Sequence, residues 1–149
     1  MLVPSSASGL CDAHVHCTAC SADLRSLLSL PESLVAARAA KILEGMLLRG
    51  FTTIRDAGGA DFGLAQAIEE GCIAGPRLLF SGHALSQTGG HGDMRGRGED
   101  CCACGSALRG IGRVCDGVPD CLRCVPPLLS PCGAASAWVH HHVLGFLKA

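Results

Sequence analysis

Asp12, His14 and His16 alternate with Cys11, Ala13 and Val15 along and just beyond the short stretch Leu10 to Val15. Residues two apart on a strand share a face, so these three polar side chains are expected to point the same way. Two imidazoles at a strand end can both reach one divalent ion, and imidazole suits zinc and other borderline metals. Asp12 would then be an outer acceptor that fixes a histidine tautomer. The competing reading of a bare His-x-His pattern is a pair of surface or packed histidines.

A rival set of ligands lies further along. Cys101-x-x-Cys104 and Cys121-x-x-Cys124 are separated by sixteen residues, a spacing within the range of structural zinc sites. This leaves open a small zinc-stabilised binding module built on those four thiols. Against it stands composition: the chain has 11 cysteines in 149 residues, so pairs at this spacing also arise by chance. Cys17-x-x-Cys20 has no thioredoxin-like unit around it. His140-His141-His142 falls in a stretch that reads as an unstructured tail. The Gly-rich segment from Gly89 to Gly98 lacks the Gly-Lys-Ser/Thr ending of a phosphate cradle, which argues against nucleotide binding.

The elements that must position these residues alternate. Leu10 to Val15 reads as a strand. Pro31, with Ser29 as a candidate cap, opens a helix through Leu34 to Leu48, and Gly50 is placed to end it in a left-handed turn. Its apolar face is wide, and Arg38, Lys41, Gly45 and Arg49 mark a narrow wet stripe. Phe51 to Arg55 reads as a second strand, Asp61 to Glu70 as a second helix, and Arg77 to Phe80 as a third strand. Such alternation implies a parallel sheet with crossover helices. Ser86 to Gly112 reads as one long loop. After Gly117, Pro119, Pro126, Pro127 and Pro131 are expected to interrupt any helix.

Composition bounds the rest. The length fits one domain, and 48% apolar residues argue against wholesale disorder. A formal net charge of −1 and 3% aromatic residues give no footprint for nucleic acid or an anionic membrane. Met1 to Ala7 does not resemble a signal peptide, and no apolar run reaches the length of a membrane span. The expectation is a cytoplasmic chain with reduced, mostly buried thiols.

The string Gly9-Leu-Cys-Asp-Ala-His-Val-His16 resembles the first-strand motif of the amidohydrolase superfamily of metal-dependent hydrolases. The resemblance continues through Glu44 to Gly59, Gly75 to His83 and Thr88-Gly-Gly-His-Gly-Asp93, in the family's order over about residues 9 to 118. These segments are most similar to the branch of imidazolonepropionase-like enzymes and Xaa-Pro dipeptidases. The resemblance implies an α/β chain forming the first strands and helices of a (β/α)₈ TIM barrel, with residues 1–118 as the barrel unit and 119–149 as a divergent Cys/Pro-rich, disordered tail. It implies His14 and His16 as metal ligands, and a divalent ion, zinc by preference, that activates water against an amide, cyclic amide or Xaa-Pro bond. Arg55, Asp56 and His91 become candidate substrate contacts near the barrel mouth, whereas His83 is read as structural.

The family also uses a lysine, two further histidines and an aspartate on later strands. No counterpart of the lysine strand follows Gly117, and Lys148 matches nothing. A whole barrel takes about 250 residues. The expectation is therefore a fragment that holds one histidine pair, does not turn over substrate alone, and exposes a sheet edge open to self-association.

Overall fold

The computed structural model describes residues 8–95 and 111–124. Strand β1 (Leu10–Val15) is followed by a 3₁₀ turn (Leu24–Ser29) and helix α1 (Glu32–Leu48). Strand β2 (Phe51–Asp56), helix α2 (Phe62–Glu69) and strand β3 (Arg77–Phe80) complete the alternation. β1, β2 and β3 form one parallel sheet in sequence order, with β2 central. This is the α/β arrangement expected.

Local chemistry explains most boundaries. Gly50 takes φ +95°, where a side chain would be strained, and its N–H returns to the Leu47 carbonyl to close α1. Asp61 caps α2 by accepting from the Leu64 N–H at 3.0 Å. Ser29 does not cap α1. Its hydroxyl donates instead to the Ser26 carbonyl within the 3₁₀ turn, and Pro31 precedes α1 with no side-chain cap.

The core lies between the sheet and the two helices. Ala39, Leu43 and Met46 recur at four and three residues, which places them on one face of α1. Leu43 and Met46 join Ile54 of β2, Leu78 of β3 and Ala65 of α2 in one cluster. The buried stripe of α1 is narrower than its apolar surface, because Leu34, Leu47 and Leu48 remain exposed. The outer edges of β1 and β3 carry no strand among the described residues.

Two features depart from the expected loop and tail. Ala84–Ser86 (β4) and Gly112–Val114 (β5) pair in parallel at the ends of the supposed loop. Helix α3 (Gly117–Cys124) follows β5 although it contains Pro119. Pro119 lies in the first turn, where the missing N–H would have no intrahelical partner, so the helix tolerates it. α3 also runs across the expected boundary at residue 118, and residues 125–149 lie outside the described residues. Among the described residues no helix is long and apolar enough to cross a membrane.

Polar contacts fasten the β4–β5 pair to the turn that follows β4. Asp116 accepts from the Thr88 N–H at 2.9 Å and from its hydroxyl at 2.5 Å. Asp93 accepts from the Gly89 N–H and from the Arg95 guanidinium. The Arg95 hydrogen bonds hold the Asp93 carboxyl well below its ordinary range, and the Thr88 bonds lower that of Asp116. Both groups are thus easier to ionise folded than unfolded.

Two outcomes follow. Leu43→Ala removes a fully buried side chain and is expected to cost about 2–5 kcal/mol, whereas Leu48→Ala on the exposed side stays within about 0.5 kcal/mol; urea unfolding midpoints measure both. Because the two aspartates have depressed folded values, their contribution is complete above the unfolded carboxylate range and disappears as pH falls below it. NMR amide shifts of Thr88 and Gly89 should hold steady from neutrality to about pH 4 and move only below it.

Candidate metal centre

The C-terminal ends of the three parallel strands meet at one buried carboxylate. Asp56, the last residue of β2, has 0% relative exposure. Its Oδ2 accepts from the Cys17 N–H at 2.7 Å, and its Oδ1 accepts from the N–H groups of Gly58 at 2.9 Å and Ala60 at 3.1 Å. Asp56 therefore ties the exit of β1 to the connection between β2 and α2. Burial and the adjacent Asp56 carboxylate push the Cys17 thiol far up, so Cys17 stays protonated.

The peptide between Gly58 and Gly59 extends this link in both directions. Its N–H, on Gly59, donates to the Gly82 carbonyl at 2.7 Å beyond β3. Its C=O, on Gly58, lies 2.9 Å from His16 Nδ1. In a trans peptide those two groups point opposite ways, so a single plane spans from β3 to the histidine. A carbonyl can only accept, which makes His16 Nδ1 the donor and leaves Nε2 as the lone-pair nitrogen of the neutral ring. Gly58 must be glycine here: a Cβ would come within 2.7 Å of the Ala84 Cβ and 3.1 Å of the Ala84 backbone nitrogen.

His14 stands beside this ring. The two imidazole centroids are 5.3 Å apart, with planes crossed at 78°. The strand register slips between Asp12 and Val15, so β1 carries one residue more than β2 over that interval. The strict alternation expected for Asp12, His14 and His16 does not pass through this bulge. Asp12 Oδ1 accepts from the His14 backbone N–H at 3.1 Å, and the ring-fixing acceptor is the Gly58 carbonyl on His16. The Asp-Ala-Gly-Gly turn after β2 was the available signal for that carbonyl, but its type did not reveal which peptide would face the histidine.

The other candidates separate by position. Arg55, expected among the substrate contacts, donates from Nε to the Ala13 carbonyl at 2.8 Å and clasps β2 to β1 at the bulge. Asp56, expected beside it, is sealed from solvent by the three bonds described above. His91 is exposed in the turn fastened by Asp93 and Asp116, and His83 is exposed between β3 and β4. Of the rival thiols, Cys121 and Cys124 lie on α3, while Cys101 and Cys104 fall outside the described residues, as do His140, His141 and His142.

The donor chemistry of the histidine pair fits a divalent cation. His16 has one nitrogen committed to a backbone acceptor and the other available, the usual arrangement around a ligating imidazole. The pair is two donors, however, and no group of three His, Cys, Asp or Glu residues able to hold an ion occurs among the described residues. An ion held there would supply Lewis acidity toward a carbonyl oxygen.

Comparison with known proteins bears on the fold and the family. A prolidase crystallised with N-methylphosphonate-L-proline shares 50% sequence identity and a TM-score of 0.72; the match covers 76% of this chain and 28% of that one. Ochratoxinase from Aspergillus niger aligns structurally with 31% identity and a TM-score of 0.64, covering 79% of this chain and 30% of the other. By sequence, the same organism's ochratoxinase is 39% identical over 95 residues, 62% of this chain. The chain spans 20% of the length of that curated relative, and its strands correspond to the amino-terminal part of such barrels. The sequence model of the amidohydrolase family matches residues 7–120. The chain belongs to the amidohydrolase family.

Proposed function

We propose that this chain supplies the first histidine pair of a metal-dependent hydrolase for carbon–nitrogen bonds, in an amide, a cyclic amide or an Xaa-Pro dipeptide. The observation that carries the reading is the Gly58 carbonyl on His16 Nδ1, with the His14 ring alongside, at the C-terminal ends of parallel strands. Barrel enzymes place their chemistry at that end. The prolidase relative with its bound proline phosphonate supports the Xaa-Pro member of the class, and the ochratoxinase relatives support a broader amide class.

Within this reading His14 and His16 hold the ion, zinc by preference, and His91 faces the substrate from its turn. Arg55 and Asp56 are assigned to positioning: Arg55 through β1, Asp56 through the Gly58 peptide. Catalytic zinc sites carry three protein ligands and one open position. Two imidazoles fall short of that set, so the chain alone binds metal weakly and does not turn over.

Elemental analysis of the purified chain, compared with the His14→Ala/His16→Ala double variant, tests the assignment. Metal present in the first and absent from the second is expected; metal retained by the double variant refutes it. Zinc-dependent release of proline from an Xaa-Pro dipeptide by the pure chain would contradict the predicted lack of turnover. Gly58→Ala should weaken zinc binding by about tenfold or more, because the carbonyl that orients His16 must shift. Asp56→Asn presents an amide NH₂ to a backbone donor and should cost about 1–3 kcal/mol of stability, read from urea unfolding.

A further inference from the structure

The turn after β4 is rich in peptide donors, and the structure shows where they go. The Thr88 N–H is taken by Asp116 and the Gly89 N–H by Asp93. The Gly90 N–H donates to the Gln87 carbonyl at 2.9 Å, and the Asp93 N–H to the Gly90 carbonyl at 3.0 Å. The Gly92 N–H donates to the Ser86 hydroxyl oxygen at 3.0 Å. Converging free N–H groups would make such a turn an anion cradle. With these five committed, what the turn presents is the exposed side chain of His91.

Ser86, the last residue of β4, holds the middle of the turn. A Cβ on Gly90 would run into the Ser86 Oγ, and one on Gly92 would come within 2.9 Å of the Ser86 Cβ. Both chain neighbours of His91 therefore rest against one side chain. Ser86 is itself fixed by β5, because its carbonyl accepts from the Cys115 N–H at 2.8 Å. The Gly92 carbonyl also lies against β5, 3.0 Å from where a Cβ on Gly112 would stand.

We propose that Ser86 is the positioning residue for His91, and that its hydroxyl fixes the backbone from which the imidazole projects. The proposal rests on the reading of His91 as a substrate contact. A histidine on a loose Gly-rich turn would lose conformational freedom on meeting a ligand, and that loss opposes binding. Seating Gly90 and Gly92 on Ser86 moves the loss into folding. The same strand carries Ala84, whose backbone nitrogen packs against Gly58. The support of His91 and the contact that confines the His16-orienting peptide are thus two residues apart on β4.

Backbone ¹⁵N relaxation of the full chain tests this. Order parameters of Gly90, His91 and Gly92 are expected at about 0.85 in the unsubstituted chain and below about 0.6 in Ser86→Ala. Those of Ala84, Leu85, Arg113 and Val114 should not change, because the backbone pairing of β4 with β5 does not use the hydroxyl. A purely structural role would loosen the strand pair together with the turn, and that result overturns the proposal. An unchanged turn in Ser86→Ala also overturns it. His91→Ala should leave the turn rigid; a turn that loosens there is held by the ring and not by Ser86. If Ser86→Ala does not fold, amide exchange of the unsubstituted chain decides. The Gly92 N–H should be protected by about tenfold or more relative to an unstructured peptide, and exchange at the unstructured rate refutes the bond to Ser86. No metal or substrate enters these measurements, so they stand or fall separately from the metal assignment of His14 and His16.

Discussion

A carboxylate removed from water costs several kcal/mol unless its oxygens are met by strong donors. Asp56 meets that demand with three backbone N–H groups from two different connections. Those peptides cannot drift apart without stranding a buried charge, so the carboxylate sets the mutual position of the β1 exit and the β2–α2 connection. Apolar packing alone would not do this. Ile54, on the same face of β2 two residues earlier, holds the sheet against α1 but has no directional demand to impose on the loops.

The orientation of His16 follows from that constraint. The Gly58 carbonyl lies between two peptide nitrogens, those of Gly58 and Ala60, that Asp56 already binds. The Gly59 N–H in the same plane is taken up by Gly82. The carbonyl is left with one direction, and His16 lies along it. The absence of a Cβ at Gly58 lets β4 close over this plane, which places the strand pair carrying the His91 turn against the same loop. One buried acid, one planar peptide and one missing methyl group together convert three strand ends into an oriented imidazole.

Much of this was legible in the chain and some was not, for physical reasons. The alternation of strands and helices could be read because α1 and α2 carry apolar periodicity and boundary signals, Gly50 at the end of α1 and Asp61 at the start of α2. The histidine pair could be read from residue type and spacing. The bulge could not, because register depends on the partner strand, and so Asp12 was expected on an imidazole when it holds the His14 backbone. β4 and β5 are three residues each, too short to show a period. Asp56 beside Arg55 looked like surface chemistry, since one sequence does not reveal that a carboxylate will be enclosed by peptide N–H groups. Pro119 looked like a helix breaker, yet its position in the first turn of α3 makes it harmless.

The strand that carries the histidines is also the least buried of the three in the main sheet. None of its residues from Leu10 to Val15 is fully enclosed. Its hold on the molecule is polar and directional: Leu10 N–H to the Gly50 carbonyl, Ala57 N–H to the Val15 carbonyl, Arg55 to the Ala13 carbonyl, and Cys17 N–H to Asp56. Hydrogen bonds of this kind contribute modestly to net stability, about 1 kcal/mol each, but they fix geometry closely. Parallel sheets ordinarily bury both faces. Of β1 only Val15 packs against the core, so the positions of His14 and His16 rest largely on these bonds. The histidine pair is thus oriented by the polar stitching at the strand ends, and Asp56 is a central stitch among them.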